Sequence, residues 1–149
     1  MNIGVVGSRT FQDEVFLDTV LDNLLLFLGA FHVVTGGAEG ADLLAIKWAN
    51  KRDVPIPIVY PADWHDLDQP DALLKQDRQG QPYDARAGFR RNQQIVDNCT
   101  MVIAFMDVYK PTAGTSDTLN RAKKKHLPIY LYWPTNPMCY YNYQNGHFV

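Results

Sequence analysis

Apolar residues in this 149-residue chain come in short runs, and three runs end at a turn rich in glycine or hydroxyls with a helical pattern behind it. Ile3 to Val6 is short, rich in β-formers and stopped by Gly7, which predicts a buried strand. A helix is predicted from Gln12 to Leu28, where Leu17, Val20 or Leu21, Leu24 and Leu28 recur on one face. Asp13 and Glu14 sit in its first turn, where the dipole favours acids, and Gly29 is its stop. His32 to Thr35 predicts a second strand, and Gly40 to Lys51 a second helix that offers Leu43, Leu44, Ile46 and Trp48 for burial. Ile56 to Tyr60, with Pro55 and Pro57 at its start, predicts an edge strand. A third helix is predicted from Gly88 to Val96, a fourth strand from Thr100 to Phe105, a fourth helix from Ser116 to His126 and a fifth strand from Ile129 to Tyr132.

Two stretches break the pattern. Residues 61–87 are rich in Asp, Gln and Pro, with Leu73-Leu74 as their one apolar pair; they predict a lid with one short helix near Ala72 to Gln76. Residues 134–149 carry Tyr140, Tyr141, Tyr143 and Phe148, too aromatic for a solvated tail, and are expected to pack on their own domain or on a second copy. Residues 1–133 read as one domain, with 61–87 as a lid-like insertion within it. Strands alternating with helices predict a three-layer α/β/α fold around a parallel sheet of about five strands, in the order 3-2-1-4-5. Ligands of such sheets bind beyond the strand C-termini at the switch point, here between the first and fourth strands.

Composition adds little beyond a soluble globular class. The net charge of −2 gives no global basic field, so nucleic acid is a disfavoured partner on this ground. Cys99 and Cys139 lie in no metal-ligand spacing and read as free thiols of a reducing compartment. With no leader pattern and no long apolar stretch, the expected location is the cytoplasm, with no membrane partner. No metal and no cofactor is expected.

The turns carry the chemistry. Gly7-Ser8-Arg9-Thr10 supplies a tight turn, hydroxyls and a guanidinium, which suits either a phosphate or ribose contact or a plain strand-to-helix turn. Gly36-Gly37-Ala38-Glu39-Gly40-Ala41-Asp42 puts three glycines in a short turn, costly to order unless a backbone must come close to something, either a ligand or a packed helix. Asp42 could hold a ribose hydroxyl or cap the helix. Arg90-Arg91-Asn92 opens a helix against its dipole, which suits either an anion or an ion pair with a lid acid such as Asp84. Ala113-Gly114-Thr115-Ser116-Asp117-Thr118 gathers three hydroxyls and a glycine at a helix start, a phosphate cradle. Trp64 and Tyr83, at the lid ends, are candidates for stacking on a base or for packing. The four histidines share no spacing, so no nucleophilic triad can be argued. Asp42, Asp63 and Asp117 are the acids able to reach one crevice, and they are the weak catalytic candidates.

Gly7-Ser8-Arg9-Thr10-Phe11, Thr35 to Asp42, Pro61-Ala62-Asp63-Trp64, Ala87 to Asn92 and Gly114 to Thr118, in that order, resemble the SLOG superfamily, which joins the DprA/Smf proteins and the LOG phosphoribohydrolases. Within it the chain is similar to the YspA/YpsA-related group of small stand-alone proteins. The resemblance implies a Rossmann-like domain that binds nucleotides or their derivatives, among them ADP-ribose-like signals in phage–host conflict. LOG enzymes cleave the N-glycosidic bond of nucleoside monophosphates with a Pro-Gly-Gly-x-Gly-Thr-x-x-Glu motif and an upstream arginine. In this chain Thr118 falls where that motif has its Glu, Ala113 and Thr112 replace glycines, and Arg91 matches the arginine.

The expected function is therefore binding of a nucleoside phosphate or ADP-ribose-like molecule at the C-terminal edge of the sheet, as a sensor, carrier or sequestering protein. The alternative is a phosphoribohydrolase-type activity. The residues assigned to binding are Gly7, Ser8, Arg9, Thr10, Gly36, Gly37, Ala38, Gly40, Asp42, Asp63, Trp64, Arg91, Asn92, Gly114, Thr115, Ser116 and Thr118, in a chain expected to form a homo-oligomer.

Overall fold

In a computed structural model that describes residues 1–108, 111–134, 141–144 and 147–148, the parallel strands are β1 (Asn2–Gly7), β2 (His32–Thr35) and β3 (Ile58–Val59), followed later by β6 and β7. The helices are α1 (Glu14–Leu28), α2 (Ala41–Asn50), α3 (Ala87–Asp97) and α4 (Ala113–Lys124). Strands β4 (Leu74–Gln76) and β5 (Pro82–Asp84) form a separate hairpin, and β6 (Met101–Phe105), β7 (Ile129–Tyr132), β8 (Tyr141–Gln144) and β9 (His147–Phe148) complete the main sheet. Its order is β3-β2-β1-β6-β7-β8-β9, with all pairs from β3 to β7 parallel. This is the expected five-strand Rossmann-like core. Strand β8 adds to it antiparallel, opposite Tyr130 and Leu131. The remaining tail positions, Tyr140 and Cys139 among them, lie outside the described residues.

Alternation along each strand splits the core in two, because successive side chains leave opposite faces of a sheet. Ile3, Val5, Val33, Ile103 and Phe105 face α1 and α2, whereas Val6, Val34, Val102, Ala104, Ile129 and Leu131 face α3 and α4. Helix α1 buries Leu17 and Leu21 as its periodicity predicts. Helix α2 buries Trp48 and packs Leu44 against the core as expected, but the rest of its buried apolar face is Ala41, Ala45 and Ala49, and Leu43 is exposed. Alanines four apart let the helix lie close on the sheet, so small residues mark much of this face.

Three departures stand out. Strand β3 is Ile58–Val59, shorter than the expected Ile56 to Tyr60. Helix α4 starts at Ala113, not Ser116, so Gly114 and Thr115 belong to its first turn. The short helix expected near Ala72 to Gln76 is instead strand β4, paired antiparallel with β5. A turn decides the matter. The Asp77 carboxylate accepts hydrogen bonds from the Gln79 and Gln81 amides, and Gly80 takes φ +79°, which closes the chain back on itself.

The hairpin is fastened by Asp84, which is fully buried. Its carboxylate accepts from the Leu73 amide, the Arg86 amide and the Arg90 guanidinium, and Arg90 also reaches Asp71 at 2.6 Å. Burial alone would raise the Asp84 pKa, but the Arg90 hydrogen bond and the two amides outweigh it and hold the pKa below the usual carboxylate value. A depressed folded-state pKa adds stability above the unfolded value and loses it as pH falls through the folded one. We expect Asp84→Asn to lower the melting temperature at pH 7 and to loosen residues 71–86 in hydrogen exchange. The gap to wild type should close below about pH 4; a gap constant from pH 7 to pH 3 would deny the ion pair its role.

Candidate functional site

The C-terminal end of β1, the glycine turn, α3 and the first turn of α4 line a cavity of about 310 Å³ at the switch point of the sheet. Gly7, Arg9 and Thr10 line it from the end of β1, Ala38 and Asp42 from the glycine turn, Arg91 and Asn92 from α3, and Gly114, Thr115 and Thr118 from α4. Ten of the positions assigned from sequence thus converge. Val6, Ile95, Thr112 and Ala113 also line the cavity and had not been assigned. The first two carry an apolar side chain that sequence reading assigns to the core, and the latter pair became wall residues when α4 began a turn early.

A second cleft of about 350 Å³ adjoins the first. Arg9, Ala38 and Arg91 line both, and Gly36, Gly37, Glu39, Pro61, Ala62 and Trp64 complete the second. A third cavity, of about 370 Å³, lies beyond Arg91 among Asp63, Asp66, Gln69, Arg90 and Gln94. Arg91 is therefore common to all three.

Other assigned residues are architectural. Ser8 is buried; its amide donates to the Phe105 carbonyl, and its own carbonyl accepts from Phe11 and Ala41. Gly40 takes φ +82°, and a Cβ there would strike the Ser8 carbonyl oxygen, so the helix-packing alternative explains this glycine. Ser116 lines none of these cavities and donates its amide to Thr112 within the helix. Asp117 accepts from Asn92 at 3.0 Å and from Arg121 at 2.8 Å, tying α4 to α3. Asp63 stands in the third cavity. The three acids expected to share one crevice do not, and Asp42 alone reaches the first cavity.

Arg90 and Arg91 divide the two readings of their motif. Arg90 is the lid ion pair. Arg91 turns to the cavity, where its Nη1 donates to the Gly36 carbonyl at 3.0 Å and its Nε to Asn92 at 3.0 Å. A Cβ on Gly36 would collide with that guanidinium, so the glycine is the condition for the approach. Burial lowers the Arg91 pKa, and neighbouring Arg9 lowers it further, while Asp42 acts the other way. Arg9 is exposed and has no carboxylate partner among the described residues. Two cations thus meet one carboxylate at the cavity.

That carboxylate is itself unusual. One oxygen of Asp42 accepts from the Gly36 and Ala38 amides, each at 3.2 Å. Burial raises its pKa to about 6, against the pull of the Ala38 amide, the Arg91 charge and the Gly36 amide. Among the described residues no three His, Cys, Asp or Glu side chains gather as a metal would require.

Residues 1–66 match the model of the YspA, cpYpsA-related SLOG family. The resemblance read from the sequence stands on that match. No curated protein matches the chain. Among solved structures, DNA processing protein A from Helicobacter pylori aligns with TM-score 0.60 and 18% identity, over 88% of this chain and 64% of that one. Its counterpart from Streptococcus pneumoniae gives 0.63 and 19%, over 87% and 49%. The chain spans less than two thirds of either, and at such identities the likeness concerns the fold. The H. pylori structure is described by its single-stranded DNA binding mode. The low standing given to nucleic acid from net charge is corrected by that finding: a protein of similar fold binds single-stranded DNA, and a near-neutral total says nothing of cations gathered locally. No helix among the described residues is long and apolar enough to cross a membrane.

An acid whose folded-state pKa is raised stabilises the fold fully below its unfolded value near 3.8, and loses that contribution as pH rises through about 6. Asp42→Asn keeps an acceptor for the two amides and removes the charge. It should flatten the loss of stability between pH 4 and 6, and at pH 8 exceed wild type by on the order of 2–3 kcal/mol. Urea denaturation at pH 4.5 and pH 8 checks both; equal slopes in the two proteins would contradict the assignment.

Proposed function

We propose that the protein binds a nucleotide-derived ligand through its phosphate in the first cavity, as a sensor, carrier or sequestering protein. One observation carries this reading: Arg9 and Arg91 converge on a cavity walled by the N-terminal turn of α4, where Asp42 offsets only one of the two charges. The first amides of a helix and its dipole attract an anion, and guanidinium forks supply paired donors. Thr112, Thr115 and Thr118 bring hydroxyls to the same wall. Thr118 donates back to the Gly114 carbonyl at 3.2 Å, so the position that resembles the LOG Glu serves the helix here. Any hydrolytic step at this cavity falls to Asp42, the one acid lining it, whose pKa of about 6 suits proton transfer near neutrality.

A second reading is favoured by the fold shared with the DNA processing proteins and by the row of three linked cavities. In it the bound phosphate belongs to a single-stranded nucleic acid that runs past Arg91.

Titration with inorganic phosphate, nucleoside monophosphates and a single-stranded oligonucleotide, followed by chromatography of the recovered ligand, separates these readings. Intact mononucleotide supports binding, and free base with ribose phosphate supports hydrolysis. Tighter binding of the oligonucleotide with a steep salt slope supports the strand reading. Arg91→Ala should weaken phosphate binding by about 1.5–3 kcal/mol, the range for a hydrogen bond to a charged group. Gly114→Val should abolish it while the fold persists, since a Cβ at 114 meets nothing within 4 Å. Unchanged dissociation constants in both folded variants would remove the phosphate from this cavity.

A further inference from the structure

The second cleft is built differently from the first. The glycine turn, Gly36-Gly37-Ala38-Glu39, lines it together with Pro61, Ala62 and Trp64, beside Arg9 and Arg91. Flat and apolar groups therefore share one cleft with bare backbone, at a size within the usual range for small-molecule sites. Trp64 is held from several directions. Its carbonyl accepts from the Asp84 amide at 2.7 Å, and its ring meets Tyr83 at 6.4 Å and 72°. Its indole also lies so close over Gly88 that a Cβ there would come within 2.9 Å. A fixed indole beside a slot suits a planar ring.

Glu39 supplies the polar selectivity. It is exposed, lines the same cleft, and has no hydrogen-bond or ion-pair partner among the described residues. An ionised carboxylate only accepts hydrogen bonds. Of the purines, guanine alone presents two adjacent donors, N1–H and the N2 amino group, which a carboxylate can take together. Adenine sets its amino donor beside the N1 lone pair, which a carboxylate repels.

We propose that this cleft is a nucleobase subsite selective for guanine, with Trp64 stacking on the ring and Glu39 accepting from its N1–H and N2–H groups. The proposal rests on the phosphate reading of the first cavity. The seam formed by Arg9, Ala38 and Arg91 makes the two cavities neighbours, so the sugar of one mononucleotide crosses it. The lid hairpin then has a defined task, because Asp84 ties both Arg90 and the Trp64 backbone into one frame.

Calorimetric titration with inorganic phosphate, GMP and AMP tests this in wild type, Trp64→Ala, Glu39→Gln and Arg91→Ala. GMP should bind about tenfold or more tighter than phosphate, in keeping with the strength of base stacking, and several-fold tighter than AMP. Trp64→Ala should bring GMP down to the phosphate level and leave phosphate binding within about twofold of wild type. Glu39→Gln should erase the preference for GMP over AMP. If phosphate binds and depends on Arg91 but GMP binds no better than phosphate, or Trp64→Ala leaves GMP unchanged, the base subsite is overturned and the phosphate pocket survives. A GMP preference that persists in Glu39→Gln, or a wild type that binds AMP as tightly as GMP, overturns the guanine assignment. If neither phosphate nor GMP binds wild type, both readings fall.

Discussion

The guanidinium of Arg91 occupies the meeting point of three cavities, and much of the surrounding chain is arranged so that it can stay there. A half-buried arginine loses part of its water and needs donors satisfied. Here the Gly36 carbonyl and the Asn92 side chain accept from it, and Asp42 lies close enough to favour its charge. Gly36 must lack a side chain for the approach, and the Gly36 amide is in turn held by Asp42. The glycine turn, the arginine and the aspartate thus form one unit in which each partner fixes another. Asn92 extends it to Asp117 and hence to α4. The wall of the first cavity is therefore cross-braced by hydrogen bonds from the glycine turn, α2, α3 and α4, and such preorganisation lowers the ordering cost of any binding there.

The fold was legible in the sequence because its signal is repeated. Each strand is a compact apolar run, and each run is closed by a glycine or a polar turn. Parallel pairing and right-handed crossovers leave few arrangements, and the order 3-2-1-4-5 follows from them. What misled was local. Helix α2 packs through alanines, whose small size carries the information that bulk usually carries. The 72–76 segment depended on a turn held by Asp77, five residues of polar sequence in which no periodicity speaks.

At the site, residue class was legible and residue role was not. Glycines in the turns were visible, but whether each served a ligand or a packed neighbour depended on which atom lies opposite. Gly40 and Gly7 face the backbone of their own domain, whereas Gly36 faces Arg91. The same holds for acids. Asp42, Asp63 and Asp117 looked equivalent in one dimension; α4's own Arg121 and the Asn92 side chain claim Asp117, and the direction of the lid places Asp63 beyond Arg91. Net charge averages over the whole surface and says nothing of two arginines gathered at one cavity.

Arg90 and Arg91 show how one motif serves two ends. Successive residues of a helix point about 100° apart, so the two arginines, although both line the third cavity, send their guanidiniums to different partners. The first turns to the hairpin and completes a buried ion pair with Asp84; the second turns to the sheet edge. Both stand in the first turns of α3, where the helix dipole opposes a cation, and in both cases an acceptor from another part of the chain compensates. The lid is consequently coupled to the cavity through one turn of helix. Displacing Arg90 would therefore disturb the frame that carries Trp64 and the start of α3 alike.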